Sequence, residues 1–414
     1  MALFVFLGLA VLVAAVAWRP HGWGPTLGAA GAVAIAAIGG AVRFGDVSTA
    51  LAAQWRAYVT LASVMTMTTT AERMGLIDQL AAIIEPRTRG PVRHAFRVTF
   101  VASALVAAVL SNDAAILLMT PTVIVLLRTV YPRRNPKFLV PFVLAVFAAA
   151  GVAPLVISNP MNLIFAEHLG IGFNEYSVRM VPVAIVGWIA AYAVLAWIFR
   201  EALADPAPAL GTWPAKQPLT PHARVVLAVV IVALCAYPVA SYLDAPLWPV
   251  AAAGAVLCAL TSVVAGKPVA ALARGVAWTV FPFLLGVFVL AIALERAGVV
   301  VWLRELYAHR HPLAIIGTTS ALGSALLNNH PMSVLNAFAM HGLRDTHHAH
   351  AFAALIGGDL GPRLLPVGSL ASLLWYDLLR RHDVVVRVTT FVRVGVLLTV
   401  PTLALSLATL WVLR

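Results

Sequence analysis

Residues 110–121 read LSNDAAILLMTP, and this stretch decides how the chain is predicted to fold. It lies in the middle of a mostly apolar segment, residues 91–132, whose two ends are rich in arginine. Each apolar arm has roughly eighteen residues, which nearly suffices to cross a bilayer, and positively charged flanks favour the cytoplasm. Because both flanks are basic, the sequence predicts a re-entrant hairpin that enters from the cytoplasmic side and carries its polar tip to membrane depth.

The composition excludes a soluble protein. Hydrophobic residues make up 62% of the 414 residues and charged residues only 11%, which is too little polar surface for a soluble fold. The net charge of +12 does not indicate nucleic-acid binding, because the basic residues lie between apolar segments rather than in a basic helix. The apolar N-terminus lacks the basic region and cleavage site of a signal peptide. We therefore predict an all-α polytopic membrane protein that begins with a membrane span.

Apolar segments of membrane-spanning length occur throughout the chain, and two of them are interrupted by polar residues. Residues 201–222 are rich in proline and alanine and form a linker. A second interrupted hairpin is predicted at 312–343. The ten predicted spans are 3–18, 25–42, 54–72, 138–169 (broken), 180–199, 223–240, 246–264, 276–294, 351–379 (broken) and 389–413.

The two halves of the sequence resemble each other. TAERMGLIDQL precedes the first hairpin and ALERAGVVVWL the second; LSNDAA resembles LLNNHP at the tips, and ISNPMNLIF resembles VGSLASLLW in the broken spans. We predict a first repeat at 1–200 and a second at 223–414, each with five spans, a re-entrant hairpin and a broken helix. Because five is odd, the second repeat is inverted and its hairpin enters from outside.

The distribution of charge agrees with this inverted arrangement. Most lysine and arginine residues fall on one predicted side, which the positive-inside rule assigns to the cytoplasm, although Arg304, Arg310 and Arg344 dilute the pattern. Both termini then lie outside. The residues on the cytoplasmic side are Arg19, Arg87, Arg89, Arg93, Arg97, Arg128, Arg133, Arg134, Lys137, Arg200, Lys216, Arg224, Lys267, Arg274, Arg380, Arg381 and Arg387.

Four polar interruptions at repeat-equivalent positions predict a substrate site near the membrane midplane. Secondary carriers build such sites from half-helix ends and freed backbone groups, whereas a single polar residue in a membrane helix more often mediates helix packing. The predicted site residues are Ser111, Asn112, Asp113, Ser158, Asn159, Asn162, Asn328, Asn329, His330, Ser369 and Ser372.

At these motifs the chain resembles the bacterial arsenite efflux carriers of the ArsB type, in the ion transporter superfamily. The most specific segments are SNDAAILLMTP, VISNPMNLIFAEHLGIGFNEYSVRMVP, NNHP and GGDLGPRLLPVGSLASLLW. The resemblance implies a multi-pass protein of the bacterial inner membrane. It implies export of trivalent arsenic, and often antimony, as the uncharged trihydroxide, either in exchange for protons or together with an ATPase subunit. Ala114 and His330 depart from the usual residues of that family, and His330 puts the proton stoichiometry in question.

The residues themselves agree with a neutral trihydroxide as substrate. Thiolate binding of arsenic would need about three sulfurs, whereas the chain has only Cys235 and Cys258, both outside the repeat motifs. Asparagine amides and serine hydroxyls suit a neutral polyhydroxide. No Walker pattern is present, so the energy comes from an ion gradient or from a partner subunit. No cofactor is expected.

Asp113 is the leading candidate for the proton-coupling residue. Desolvation at a hairpin tip disfavours the charged form of a carboxylate, so its protonation can change with access to water. The competing interpretation makes Asp113 a helix N-cap. Its counterpart His330 is a second candidate, because histidine titrates near neutrality, although it can also be a packed neutral side chain. Asp359 is predicted to pair with Arg363, one turn further along, in a structural role.

Other features of the sequence leave alternatives open. The loop HGLRDTHHAHA, with His341, Asp345, His347, His348 and His350, has metal-ligand residue types, but a solvated turn explains it better. A sodium/proton antiporter or a carboxylate carrier of the same superfamily is the alternative function. A membrane-embedded hydrolase is the third hypothesis, and it lacks a recognisable nucleophile and base.

Overall fold

The structure, a computed structural model, describes residues 1–18, 24–88, 90–131, 136–204, 218–341 and 348–413. Within these ranges the chain forms α-helices, short 3₁₀ turns and no β-strand. Several predictions fall on residues outside them, and those predictions stay as they are. They concern the charges of Arg19, Arg89, Arg133, Arg134, Lys216 and Arg344, the loop residues Asp345 and His347, most of the linker, and the last residues of both predicted hairpins.

Each half of the sequence contains ten described helices. The first half contains α1 (Ala2–Trp18), α2 (Gly24–Ile38), α3 (Phe44–Arg73), α4 (Leu76–Thr88), α5 (Val92–Val109), α6 (Asn112–Val130), α7 (Val140–Ala149), α8 (Pro160–Leu169), α9 (Phe173–Ile198) and the short α10 (Arg200–Leu203). The second half contains α11 (Pro221–Tyr242), α12 (Trp248–Val264), α13 (Val269–Gly275), α14 (Val280–Arg296), α15 (Val299–Tyr307), α16 (Pro312–Leu327), α17 (Asn329–His341), α18 (His348–Leu360), α19 (Leu370–Arg381) and α20 (Val388–Leu413).

The outer surface of the helices is apolar, as expected for a membrane protein. By length and composition, five described helices can cross a membrane, namely α5, α6, α9, α11 and α20. The pair α14 and α15 passes the same test together and is bent by 79°. Large side chains such as Val232, Val264 and Val400 are more than half exposed on these surfaces. In water such continuous apolar faces would be unfavourable, whereas lipid tails accommodate them.

In both halves of the sequence a glycine separates the two helices that precede the predicted hairpin. Gly75 separates α3 from α4 with φ +76°, and Gly298 separates α14 from α15 with φ +89°. Both values lie in the left-handed region, which a residue without Cβ adopts at little cost. The sequence similarity between TAERMGLIDQL and ALERAGVVVWL therefore corresponds to the same helix–glycine–helix turn in both halves.

The helices around the predicted tips and breaks pack across the two halves. Within the first half α5 contacts α6 and α7, and within the second half α16 contacts α17 and α18. Across the halves α6 contacts α19, and α8 contacts α17. Helix α6 follows the first tip and packs against α19, which follows the second break. Helix α17 follows the second tip and packs against α8, which follows the first break. These contacts position both tips and both breaks in one region.

Some helix boundaries differ from the predicted spans. Helix α3 begins at Phe44, ten residues before the predicted span at 54–72, and α9 begins at Phe173 rather than at 180. The sequence missed these starts because the first turns carry polar residues, Asp46 in α3 and Glu175 in α9, which a hydropathy window excludes. The polar residues favour a helix N-terminus electrostatically.

An ion pair connects the start of α3 to the end of α14, outside the predicted spans 54–72 and 276–294. Arg296 donates from both Nη atoms to the Asp46 carboxylate, at 2.6 and 2.7 Å, and also to the carbonyl oxygen of Ala41 at 2.8 Å. The hydrogen bond from Arg296 is the main reason that the pKa of Asp46 lies below its ordinary value of 3.8. A two-pronged guanidinium–carboxylate pair is among the stronger charged contacts in proteins.

We predict that Asp46→Asn lowers the free energy of unfolding by about 1 kcal/mol, because it removes a charged pair at a partly exposed site. Since the folded state lowers the pKa of Asp46, the contribution is present at neutral pH and disappears as the pH falls through and below about 4. Thermal unfolding of the purified protein between pH 3 and 7 measures this effect. Asp377→Asn, which breaks the exposed pair with Arg380, is the matched control and should change little. Equal loss in both variants would contradict the prediction.

Candidate functional site

Three of the predicted site residues are helix N-caps. Ser111 Oγ accepts a hydrogen bond from the Ala114 amide and caps α6, Asn159 Oδ1 accepts from the Met161 amide and caps α8, and Ser369 Oγ accepts from the Ser372 amide and caps α19. Capping satisfies one of the backbone N–H groups that every helix start leaves free. The other first-turn amides of these half-helices give the region a partial positive charge.

The first tip, residues 110–113 at the turn from α5 to α6, is hydrogen-bonded to the first break, the segment 150–159 between α7 and α8. Asn112 Nδ2 donates to the carbonyl oxygen of Gly151 at 2.8 Å, and Ser158 Oγ donates to the carbonyl oxygen of Ala108 at 2.7 Å. All of these groups are buried or half-buried. The amide oxygen of Asn112 is buried without a hydrogen-bond partner. The tip is therefore positioned firmly while one acceptor atom stays unused.

The first break is held from the other half of the chain by Asp359. Its Oδ1 accepts from Asn159 Nδ2 at 2.7 Å, and its Oδ2 accepts from Asn162 Nδ2 at 3.0 Å and from the Ala153 amide at 2.9 Å. Asp359 lies on α18 of the second half, whereas its partners lie in the first. Non-helical backbone at membrane depth needs side-chain partners, and this carboxylate supplies them.

Tyr176 bonds to the other backbone polar group of Ala153. Its hydroxyl accepts from Asn162 Nδ2 at 2.6 Å and donates to the carbonyl oxygen of Ala153 at 3.0 Å. The N–H and the C=O of Ala153 are thus both bonded to side chains, one from α18 and one from α9. Asn162 uses its amide nitrogen for both Tyr176 and Asp359, while its amide oxygen is buried without a partner.

Asp359 does not form the predicted pair with Arg363. All three hydrogen-bond partners of Asp359 are N–H donors of the first half, and Arg363 donates instead to the carbonyl oxygen of Ala148 at the end of α7. An ionised carboxylate is an acceptor only, which suits a site with donors on every side. The buried guanidinium nearby provides the opposite charge for the interior, without a direct hydrogen bond to Asp359.

Arg363 fits against the first break because residue 151 is a glycine. A Cβ at Gly151 would lie 2.2 Å from Arg363 Nη2. The side chain is buried, and its Nε and Nη1 have no hydrogen-bond partner. A cation with unused donors therefore lies next to the backbone to which Asn112 is bonded.

The second tip, residues 327–330 at the turn from α16 to α17, is likewise hydrogen-bonded to the second break, the segment 361–369 between α18 and α19. Asn328 Nδ2 donates to the carbonyl oxygen of Val367 at 3.2 Å, and Asn328 Oδ1 accepts from the backbone amide of His330 at 3.3 Å. Asn328 has φ +81° and ψ 147°, a combination that residues with a side chain rarely adopt. The tight turn between α16 and α17 depends on this residue.

His330 and Asn329 at the second tip are buried with unused polar atoms. His330 Nδ1 lies 3.3 Å from Asn328 Oδ1, its ring packs edge-on against Phe283 at 5.7 Å between centroids, and its Nε2 has no partner. The amide oxygen of Asn329 has no partner either. Both tips thus present unpaired buried polar atoms, which commonly mark positions that a ligand or water satisfies.

Ser369 and Ser372 bond to each other rather than to the other half. Their hydroxyl oxygens are 2.7 Å apart, and both side chains are buried at the start of α19. They occupy the positions that Asn159 and Asn162 occupy in the first break. Their present contacts are local to the helix cap.

Asp113 is not the N-cap of α6, since Ser111 occupies that position. Asp113 follows in the first turn, is partly exposed, and forms no hydrogen bond or ion pair with a described residue. The competing interpretation of this carboxylate as a cap is therefore wrong.

Sequence reasoning missed Asp359, Arg363 and Tyr176 as members of this site. Their partners are 14 to 215 residues away in sequence, whereas Arg363 offered Asp359 an apparent partner one turn away. The available signal was the burial of two opposite charges in GGDLGPR, since charges at membrane depth mark functional regions.

No evidence for a metal centre or a thiol site emerges within the described ranges. Three or more metal-binding side chains do not cluster there. His348, from the predicted external loop, contacts Glu175 instead. Cys235 on α11 is exposed and Cys258 on α12 is buried, and neither contacts the tips or breaks described above.

We predict that Asp359→Asn lowers the free energy of unfolding by about 3 kcal/mol, because the amide turns a donor toward groups that are donors themselves. Asp113→Asn is the matched control: that carboxylate has no described partner, so stability should stay within about 0.5 kcal/mol of the wild type. Thermal unfolding of the purified protein in detergent measures both. Unchanged stability of Asp359→Asn would show that the carboxylate does not hold the break.

Comparison with known proteins agrees with this geometry. The family model "ArsB: Arsenical pump membrane protein" matches residues 1–414. An arsenical pump membrane protein of Escherichia coli is 30% identical over 416 residues, which cover 95% of each chain. The arsenical pump membrane protein of Yersinia enterocolitica is 29% identical and covers 95% of this chain and 94% of its own, and a putative one of Bacillus subtilis is 25% identical, covering 88% and 89%.

Two solved transporter structures share the fold at low sequence identity. The YdaH transporter of Alcanivorax borkumensis has a TM-score of 0.58 and 15% identity, covering 89% of this chain and 87% of its own. MtrF of Neisseria gonorrhoeae has a TM-score of 0.56 and 12% identity, covering 85% and 80%. Taken with the match over the full chain, the helices, tips and breaks described here are those of a membrane transporter, and the chain belongs to the ArsB family of arsenical pump membrane proteins.

Proposed function

We propose that this chain exports trivalent arsenic, and also antimony, as the uncharged trihydroxide, across the bacterial inner membrane in exchange for protons. The observation that supports this proposal is the set of buried polar atoms without partners at the tips and breaks. Hydroxyl groups of a trihydroxide donate hydrogen bonds, and amide oxygens and a neutral imidazole nitrogen accept them. The atoms in question are Asn112 Oδ1, Asn162 Oδ1, Asn329 Oδ1 and His330 Nε2.

In this proposal, the substrate site is formed by Ser111, Asn112, Ser158, Asn159, Asn162, Asn328, Asn329, Ser369 and Ser372. The hydrogen bonds that fasten each tip to its own break support this grouping. Asn159 and Asn162 have a second role, since Asp359 already occupies their amide nitrogens. Substrate therefore meets mainly oxygen acceptors on this side of the site.

Asp113 carries the coupling proton in the proposed cycle, and His330 is the second candidate. Asp113 lies at the first tip, is partly exposed and has no described partner, so its protonation does not require a structural contact to break. Asp359 differs, because it is committed to three donors. One proton crossing about 150 mV releases roughly 3.5 kcal/mol, which supports a gradient of about 300-fold in a neutral solute. The alternative energy source is an arsenite-stimulated ATPase subunit bound to the chain.

The proposed architecture consists of two inverted repeats, 1–200 and 223–414, joined by a linker at 201–222. The hairpin at 91–132 enters from the cytoplasm and the hairpin at 312–343 from outside. The equivalent glycine turns at Gly75 and Gly298 support a repeat, and so do the crossed contacts of α6 with α19 and α8 with α17. With basic residues on the cytoplasmic face, both termini lie outside.

A carboxylate carrier is the second candidate function, and Arg363 is the observation that favours it. Its buried guanidinium keeps two nitrogens without partners beside the first break, and carboxylates bind to such donors. A sodium/proton antiporter of the same architecture would use Asp113 but has no further support from the contacts described.

Transport in everted membrane vesicles tests the proposed function. We expect arsenite to release protons from vesicles that hold a pH gradient, whereas citrate and sodium should not. Asp113→Asn should reduce the rate of pH-driven arsenite uptake at least tenfold, because the variant keeps the shape of the tip but cannot titrate. The double mutant with His330→Met separates the two candidates for the proton.

The variants contradict the proposal in distinguishable ways. Wild-type pH-driven uptake by Asp113→Asn would remove this residue from the coupling step. A citrate response without an arsenite response would favour the carboxylate carrier. Unchanged thermal stability of Asp113→Asn shows that a loss of transport does not reflect unfolding.

Labelling of single cysteines tests the inverted arrangement. We predict that a cysteine at Ala114 reacts from the cytoplasm and a cysteine at Pro331 from outside, in a background carrying Cys235→Ser and Cys258→Ser. That background should keep arsenite export, because neither thiol is proposed as a ligand. Labelling of both tips from the same side would defeat the inverted model, and loss of export in the background would indicate a role for thiols.

A further inference from the structure

A groove along the first hairpin combines an apolar floor with a basic rim. It lies between α4, α5 and α11 and has a volume of about 640 Å³. Arg87, His94 and Arg97 line one end, and the rest of the lining is aliphatic apart from backbone. Neither the substrate site nor the coupling step uses these residues. The separation of charge at one end from apolar surface along the remainder matches an amphipathic ligand.

The aliphatic part of the groove runs for about one leaflet. From Arg97 to Val109 the lining residues of α5 come in adjacent pairs that recur every four residues, which places them on one face of the helix. At 1.5 Å per residue this face is about 18 Å long, close to half of a hydrocarbon core of about 30 Å. Val101, Leu105 and Val109 are 50%, 58% and 40% exposed. An extended acyl chain fits this length and this surface.

The basic rim has donors for a phosphate. Arg87 donates from Nη1 to the carbonyl oxygen of Ile83 at 2.7 Å, and Arg97 Nη2 lies 2.9 Å from His94 Nδ1. These local bonds hold the two exposed guanidinium groups at the end of the groove. Each guanidinium has five N–H donors, so most of them remain for a ligand.

We infer that this groove binds an anionic phospholipid, with its phosphate between Arg87 and Arg97 and an acyl chain along α5. Charge complementarity favours an anionic lipid as the ligand, because basic pockets between helices on the cytoplasmic side attract anionic headgroups. A zwitterionic lipid would gain the same apolar contact but less from the two arginines. Because the groove ends beside Leu110, next to the first tip, the bound chain lies against the hairpin itself.

Lipid binding to the purified full-length protein in detergent tests this inference. The probes are dioleoyl phosphatidylglycerol, dioleoyl phosphatidylcholine and inorganic phosphate, measured by native mass spectrometry and by thermal stabilisation. We expect Arg87→Gln/Arg97→Gln to bind phosphatidylglycerol about 30-fold more weakly, at roughly 1 kcal/mol per arginine and tenfold per 1.4 kcal/mol. Arg380→Gln/Arg381→Gln removes the same charge at the end of α19, away from the groove, and should keep wild-type affinity.

A second variant tests the apolar part separately. Leu105→Trp fills the groove and leaves both arginines in place, so it should weaken phosphatidylglycerol binding without changing the effect of phosphate. Equal affinity of the wild type for the two lipids, or equal affinity of the arginine variant and its control, would overturn the inference. Equal stabilisation by phosphate and by phosphatidylglycerol would show that no chain occupies the groove. A lipid-independent dimer that Leu105→Trp dissociates would assign the groove to a second copy of the chain and overturn the lipid assignment.

Discussion

The arrangement of the site depends on one carboxylate, Asp359, that bonds to the opposite half of the chain. The first break exposes backbone groups that neither a helix nor water satisfies at this depth. Asp359 accepts from the Ala153 amide and holds Asn159 and Asn162, while Tyr176 donates to the carbonyl oxygen of Ala153. Without this contact the amides of both asparagines would have to find other partners, and the start of α8 would lose its fixed position relative to α18.

Much of this fold follows from the sequence, because polar residues inside long apolar segments are conspicuous. LSNDAA, LLNNHP and ISNPMN correspond to helix starts in the structure, and Gly75 and Gly298 correspond to equivalent turns. The contacts between halves do not follow in this way. Asp359 appears in the sequence with a cation one turn away, and only the packing of α18 against the first break reveals its partners. The N-cap of α6 is a further example: the sequence offered Asp113 as a possible cap, whereas Ser111, two residues earlier, occupies that position.

The two halves use equivalent positions for different chemistry. When Ser369 is aligned with Asn159, Asp359 aligns with Ala149 and Arg363 aligns with Ala153. Both buried charges therefore belong to the second half, and the first half has alanine at the aligned positions. The second break has serines that bond to each other, whereas the first has asparagines that bond to a carboxylate. At the tips, the alignment of LSNDAA with LLNNHP places Asp113 opposite Asn329 and Ala114 opposite His330. Aligned positions of the two similar sequence halves thus carry different hydrogen-bonding groups.

The crossed packing of α6 with α19 and of α8 with α17 limits which parts of the molecule can move as units. If the two halves separated as rigid bodies, both contacts would break together and the Asp359 hydrogen bonds would be lost with them. Motion that preserves these contacts must instead carry a piece of each half in the same direction. The mechanical unit of this protein is therefore a composite of both sequence halves, and two fragments cut at the linker would each lack the surface against which their own half-helices are packed.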